Sequence, residues 1–372
     1  MRGHVVAALA LIAGCGFNVP NASHDAGGSD ARAPTDNGCV SATDVFDTCA
    51  LGSGSDLEIA SDATYDTDTG VLRAGGVLIA TLDTHVTTPT GMIDVLIVHE
   101  LDLEATLTAT GTQPLAIYAS ASATLGGTLT VANGGAGART SCANGPGVGA
   151  DSSDGAGGGG GGAFGGNGGA GGEGDSNGTH GGNGGTHETL PAGLVGGCPG
   201  ASGGEDGAGS GGSGGGAVLI ATPGTIELRA SGGIDAGGGG GAAGTKTNNG
   251  GGGGGGGAGG LVILEASTIS IASTGYLVAN GGGGGEGGAN GTDGNPGEPG
   301  HRDTTAAGGG FGVNHAGNGG NGGAASTTSD GSPAPSGADD GGGGGGGGAG
   351  YIAVKGSLAG SGTFSPAPTT WP

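Results

Sequence analysis

Residues 217–237 read AVLIATPGTIELRASGGIDAG and residues 261–281 read LVILEASTISIASTGYLVANG, two copies of one pattern. Each opens with a four-residue apolar run and passes to an alternating pair, Ile226 and Leu228 in one copy, Ile269 and Ile271 in the other. Each then reaches Ile234 or Leu277, an alanine at 236 or 279, and glycine. Residues 114–134, PLAIYASASATLGGTLTVANG, repeat the pattern more loosely, and residues 350–364, GYIAVKGSLAGSGTF, are a shortened last copy. Alternation every second residue, β-branched enrichment and intervening turn residues read as strand, and no helical period is visible. A unit of about 20 residues with two or three short strands cannot bury its faces alone, whereas a stack of such units can. The expectation is an all-β chain, a parallel β-helix or related β-solenoid. The alternative is an antiparallel β-sandwich with glycine-rich loops.

Working outward, the units hold most of the material able to form a core. Leu, Ile, Val and Phe number 58 in 372 residues, and 40 of them lie in windows 57–133, 217–236, 261–280 and 351–364. Between the windows run three glycine tracts, 134–216, 237–260 and 281–350, with 85 of the 107 glycines. All three follow the same point of the unit, so in a stack they leave from one corner, and insertions on one face of a repeat protein often carry its function. Ordering such tracts costs about 1–2 kcal/mol per residue in backbone entropy, most for glycine. Flexible loops and hydrogen-bonded bundles are therefore the two readings of the tracts.

The runs GGNGGAGG at 165–172 and GNGGNGGA at 317–324 resemble the glycine-rich repeats of the PE-PGRS family. They also resemble the glycine-rich region of the anaplastic lymphoma kinase ectodomain and the glycine-rich antifreeze proteins. The resemblance implies tracts packed as bundled, extended polyglycine-II helices whose backbones approach closely because no Cβ intervenes.

The chain begins with Met1-Arg2-Gly3-His4 and an apolar run from Val5 to Ala13, the form of a secretory signal and too short to span a bilayer. Leu11-Ile12-Ala13-Gly14-Cys15 resembles a bacterial lipobox. That resemblance implies a lipoprotein signal peptide at 1–14 and acylation of Cys15, and two or more acyl chains suffice for stable membrane attachment. Gly16 after the cysteine resembles the outer-membrane sorting signal of lipoproteins, which places the chain at the bacterial envelope, on the outer membrane or cell surface. Residues 15–38, poor in apolar side chains, read as a disordered tether. The remaining organisation is a β-rich domain at 39–133, β units alternating with glycine insertions over 134–364, and a C-terminal tail at 365–372.

Apart from Cys15, the cysteines are Cys39, Cys49, Cys142 and Cys198, an even number in an exported chain. The simplest of three connectivities is Cys39–Cys49 and Cys142–Cys198. No CxxC motif or Cys/His cluster at zinc spacing occurs, so neither a metal nor another cofactor is expected. GxGxxG and GxSxG matches fall inside polyglycine and lack the strand and helix that give them meaning. The calcium-binding nonapeptide of RTX solenoids is broken at Gly171–Ser176. His99 and Glu100, with Asp94 and Asp102 nearby, read as a solvated strand face, and His180, His187 and Glu188 as surface residues of a tract. Glu227, Asp235 and Glu265 could share a face in the manner of carbohydrate-active β-helices, but read more simply as solvent-facing strand positions.

A net charge of −24 with eight Lys and Arg excludes nucleic acid as a natural partner. The functional expectation is a non-enzymatic, lipid-anchored cell-surface protein of structural or adhesion type. Its partners are then the membrane, through the anchor, and envelope or extracellular polysaccharide. The alternative is a polysaccharide-binding or polysaccharide-cleaving β-helix protein, and a third reading is ice or mineral-surface binding.

Overall fold

The repeated units form strands in a computed structural model that describes residues 41–372, apart from 83, 153–154, 175–178, 206, 247–249, 290, 313–314 and 326–339. Cys15, Cys39, the signal peptide and the tether lie outside the described residues. The opening strands are β1 (Leu57–Ile59), β2 (Ala63–Asp66), β3 (Val71–Ala74), β4 (Val77–Thr81) and β5 (His85–Thr88). There follow β6 (Gly91–Leu103) with β7 (Leu107–Thr110), and β8 (Leu115–Leu125) with β9 (Thr128–Thr130). The two full copies supply β10 (Ala217–Ala221), β11 (Thr225–Leu228) and β12 (Gly233–Asp235), then β13 (Leu261–Ile271) and β14 (Tyr276–Val278). The chain ends with β15 (Tyr351–Gly360), β16 (Thr363–Ser365) and β17 (Thr369–Thr370). The fold is all-β, with no α-helix among the described residues.

Two sheets result. The first runs β1-β6-β8-β10-β13-β15-β17, with β11 between β8 and β13 and β5 beside β6; the second runs β16-β14-β12-β9-β7-β2-β3-β4. Like strands of successive units pair in parallel and in register, so that Leu115, Val218, Val262 and Ile352 form one ladder and Leu129, Ile234, Leu277 and Phe364 another. These ladders face each other in a common apolar core. Each fully buried aliphatic there contributes roughly 1.5–3 kcal/mol. Among the named strands antiparallel pairing is confined to β2–β3–β4 and β5–β6, which corrects the antiparallel-sandwich alternative. The physical reason is connection length: between like strands the chain crosses the other sheet or a glycine tract, enough to return it to the same end.

The uninterrupted apolar runs mark strands buried on both faces. Val218 and Ile220 point into the common core, while Ala217, Leu219 and Ala221 join a second cluster on the other side with Ile263, Phe164, Ala258, Val45, Phe46 and Trp371. Residues 365–372, a tail in the sequence reading, complete this cover: β17 pairs with β15, and Trp371 is buried. Residues 41–372 cluster as one unit.

Over their described residues the glycine tracts are packed, with residues 250–260 at the centre and buried throughout. The N–H groups of Gly252, Gly255 and Ala258 donate to Gly204, Ala201 and Cys198; those of Gly253, Gly256 and Gly259 to Gly342, Gly345 and Gly348; those of Gly251, Gly254 and Gly257 to Thr245, Ala242 and Gly239. The carbonyls rotate in the same way. Those of Gly250, Gly253 and Gly256 accept from Ala156, Gly159 and Gly162, those of Gly251, Gly254 and Gly257 from Gly288, Gly285 and Gly282, and those of Gly252, Gly255 and Ala258 from Gly209, Gly212 and Gly215. One tract thus bonds six neighbours with a period of three, the period of an extended three-fold helix. Such dense pairing offsets the entropy of ordering glycine, and it requires glycine. A Cβ on Gly254 would overlap the Ser210 carbonyl, and one on Gly255 the Gly160 carbonyl. Gly255→Ala is expected to destabilise the chain by roughly 3 kcal/mol or more, read as a lowered melting temperature, because the obstacle is backbone and cannot rotate away. Ala170→Ser, at an exposed position of an outer tract, should leave stability within about 0.5 kcal/mol.

Candidate functional site

The outer tracts of the bundle present side chains at the same period of three. His180, Asn183 and Thr186 are exposed while Gly182 and Gly185 between them are buried, and Ser210 with Ser213 and Asn318 with Asn321 behave alike. Neighbouring tracts are joined across this surface. Gly171 donates to the Gly182 carbonyl and Gly147 to that of Asn183, at 2.9 and 2.8 Å, and His180 Nδ1 lies 3.5 Å from Glu173 Oε1. The product is a hydrogen-bonded, polar surface with a period of three.

At the junction of bundle and sheets, Arg139 anchors a compact cluster. Its Nη1 donates to both carboxylate oxygens of Glu188 at 2.9 Å, and its guanidinium lies 5.0 Å from the centre of the Phe164 ring. Phe164 meets Tyr351 edge to face at 5.3 Å, and the Tyr351 hydroxyl donates to the Glu188 carbonyl at 2.6 Å. Burial, with the Glu188 charge beside it, pushes the Tyr351 hydroxyl above its ordinary value. The expected Cys142–Cys198 disulfide is formed, and both sulfurs lie within 4.8 Å of a Glu188 carboxylate oxygen. This trio has metal-ligating atom types, but the sulfurs are bonded to each other and Glu188 is engaged by Arg139. A cavity of about 360 Å³ opens alongside, lined by Thr90, Met92, Pro114, Arg139, Leu194 and Val195 among others.

A third feature lies on the outer face of the first sheet, where residues 41–51 cross as a strap. Ser41 and Asp47 organise it locally: Ser41 accepts from the Thr48 N–H, and Asp47 caps the short turn Thr48–Ala50. Thr43 donates to Glu265 Oε1 at 3.0 Å, and Asp44 pairs with Lys355. Glu265 is buried, and its Oε2 has no hydrogen-bond partner among the described residues. Burial raises its carboxyl to about 7, against the smaller opposing effect of the Thr43 hydrogen bond.

The remaining sequence candidates do not converge. His99 Nδ1 binds exposed Asp56 at 2.8 Å, Asp102 lies 3.8 Å from Arg229, and Asp94 is buried with His85 Nε2 at 3.9 Å. Glu227 is exposed, as expected, whereas Asp235 and Glu265 are not solvent-facing. Asp235 is buried in the second sheet and paired with Arg302 at 2.8 Å, and Glu265 sits in the first sheet, so the three carboxylates do not share a face. The second-sheet position is covered by the tract that brings Arg302, a contact invisible in strand periodicity. His187 packs on Asn167, and Glu188 is tied to Arg139. Cys49 is disulfide-bonded, with Cys39 outside the described residues. The roles of Arg139, Thr43 and Trp371 carry no local signal; the period of three in the outer tracts does carry one, the Gly-Gly-X spacing of runs such as 165–172, which the sequence-based expectations left unused.

No family model matches the chain, and neither curated proteins nor solved structures include a match. Replacing Cys142 and Cys198 together by alanine is expected to cost about 4 kcal/mol on the chain-entropy account, since the bridge closes a separation of 56 residues. Chemical denaturation of both forms in the absence of reductant measures it.

Proposed function

We propose that the protein is a non-enzymatic, lipid-anchored cell-surface protein of structural or adhesion type, whose glycine bundle is the functional face. The observation that carries this reading is the outer tract surface, where exposed residues such as His180, Asn183 and Thr186 recur every third residue on a buried glycine scaffold. A bundle held by backbone bonds along each tract loses little further entropy on contact, which favours binding to an extended surface. The parallel, in-register pairing of successive units supports the finer reading of the two sheets as a β-solenoid. Rotation of bonds among six neighbours supports reading the tracts as polyglycine II. All three insertions leave after the second-sheet strand of a unit, following β9, β12 and β14, which supports reading them as one side of such a solenoid.

The anchor rests on the lipobox-like stretch ending at Cys15. No helix among the described residues is long and apolar enough to cross a membrane. Envelope or extracellular polysaccharide is the proposed partner of the bundle surface, matched by its rows of small polar side chains. Cys15→Ser is expected to move the chain from the membrane fraction to the soluble fraction of fractionated cells; unchanged membrane association would overturn the anchor. Depolymerisation of an acidic polysaccharide by the purified chain, lost on Asp235→Asn, would overturn the non-enzymatic reading.

A further inference from the structure

We propose that residues 41–51 form an acid-tightened latch: the strap closes over Glu265 while that carboxyl is protonated and opens more readily once it is ionised. The geometry is that of a lid on a buried acid. Glu265 lies at the end of the apolar run of β13, on the face where Val45 and Phe46 of the strap pack with Ala221 and Ile263. Thr43, itself buried, donates to Oε1, and Oε2 meets no partner among the described residues. A carboxylate enclosed in this way is poorly solvated, whereas a carboxylic acid is tolerated.

The charged and titratable groups around Glu265 do not relieve this. The strap carries Asp44, next to Thr43, and Asp47, which caps its own turn; on β15 the residue in register with Glu265 is Lys355, and Asp44 and Lys355 are paired with each other. On β10 the partner in register is Ala221, and beyond it on β8 stands Tyr118. Thr222 of the β10–β11 connection approaches only through its N–H, which donates to the Glu265 carbonyl. The cation in register with Glu265 is therefore already engaged by the strap, and its transfer to an ionised Glu265 would remove a second strap contact.

Linkage sets the direction and window. In the closed state Glu265 titrates at about 7, and when the strap lifts and water reaches the carboxyl it returns toward 4.5. The closed state binds the proton more tightly, so closure is firmest below about 4.5, weakens as pH rises toward 7, and is constant above. A gap of that size corresponds to roughly two orders of magnitude in the opening equilibrium. Opening would expose the apolar outer face of the first sheet, including Trp371, the sole tryptophan.

Amide hydrogen exchange of residues 41–51 in the full chain tests the latch, read as protection relative to the intrinsic rate at each pH. The wild-type protection is expected to fall about a hundredfold between pH 5 and pH 7.5, with Trp371 emission as a second readout of any populated open state. Glu265→Gln, isosteric and uncharged, is expected to hold the strap's protection constant across that range. Thr43→Val should lower protection at every pH and keep the pH dependence. A wild-type protection that does not change with pH, or a change that persists in Glu265→Gln, would overturn the proposal.

Discussion

The missing Cβ of glycine is the constraint on which the structure depends. Around residues 250–260 the backbones of six tracts come close enough for every face of the central chain to bond a neighbour, and the positions that a Cβ would take are occupied by carbonyl oxygens. The hydrophobic effect contributes little inside such an assembly, since the buried side chains there are few, chiefly alanines and Glu286. Backbone hydrogen bonds take over the role that apolar packing has in an ordinary core. They do so cooperatively: each tract is held only by its neighbours, so no tract is ordered alone.

That bundle would have no fixed register without the sheets. Ala236, Ala258, Ala279 and Ala349 are buried where tracts meet the strands, and they mark the change from one kind of packing to the other. Phe164 and Leu194, brought from the first tract, enter the apolar cluster on the outer face of the first sheet, and Arg139, Glu188 and the Cys142–Cys198 bridge fasten the tract ends beside them. The sheets thus position the ends of every tract, and the tracts in turn cover a sheet face that would otherwise expose Leu219 and Ile263 to water.

The consequence for function is a division of labour within one chain. All-glycine tracts occupy the interior, and Gly-Gly-X tracts occupy the periphery with X facing outward, as at Asn183 and Asn318. Side chains on the outer tracts can vary without disturbing the hydrogen-bonded interior. On the proposed function, this surface meets something extended and repetitive rather than enclosing a small substrate.

Much of this was legible in the sequence by itself. The twofold alternation in 217–237 and 261–281 determined the strands, and the common insertion point of the tracts followed from aligning the copies; that runs such as LVIL are covered on both faces came from the structure. Local period suffices for the strands because a strand's side chains alternate whatever surrounds it. Three further things needed the tertiary structure: whether the tracts are packed, the burial of Asp235 and Glu265, and the partnership of Thr43 with a residue 222 positions away. Each depends on contacts between segments remote in sequence. An isolated glycine tract has no preferred conformation, and a lone carboxylate on a strand has no means of signalling that another part of the chain will cover it.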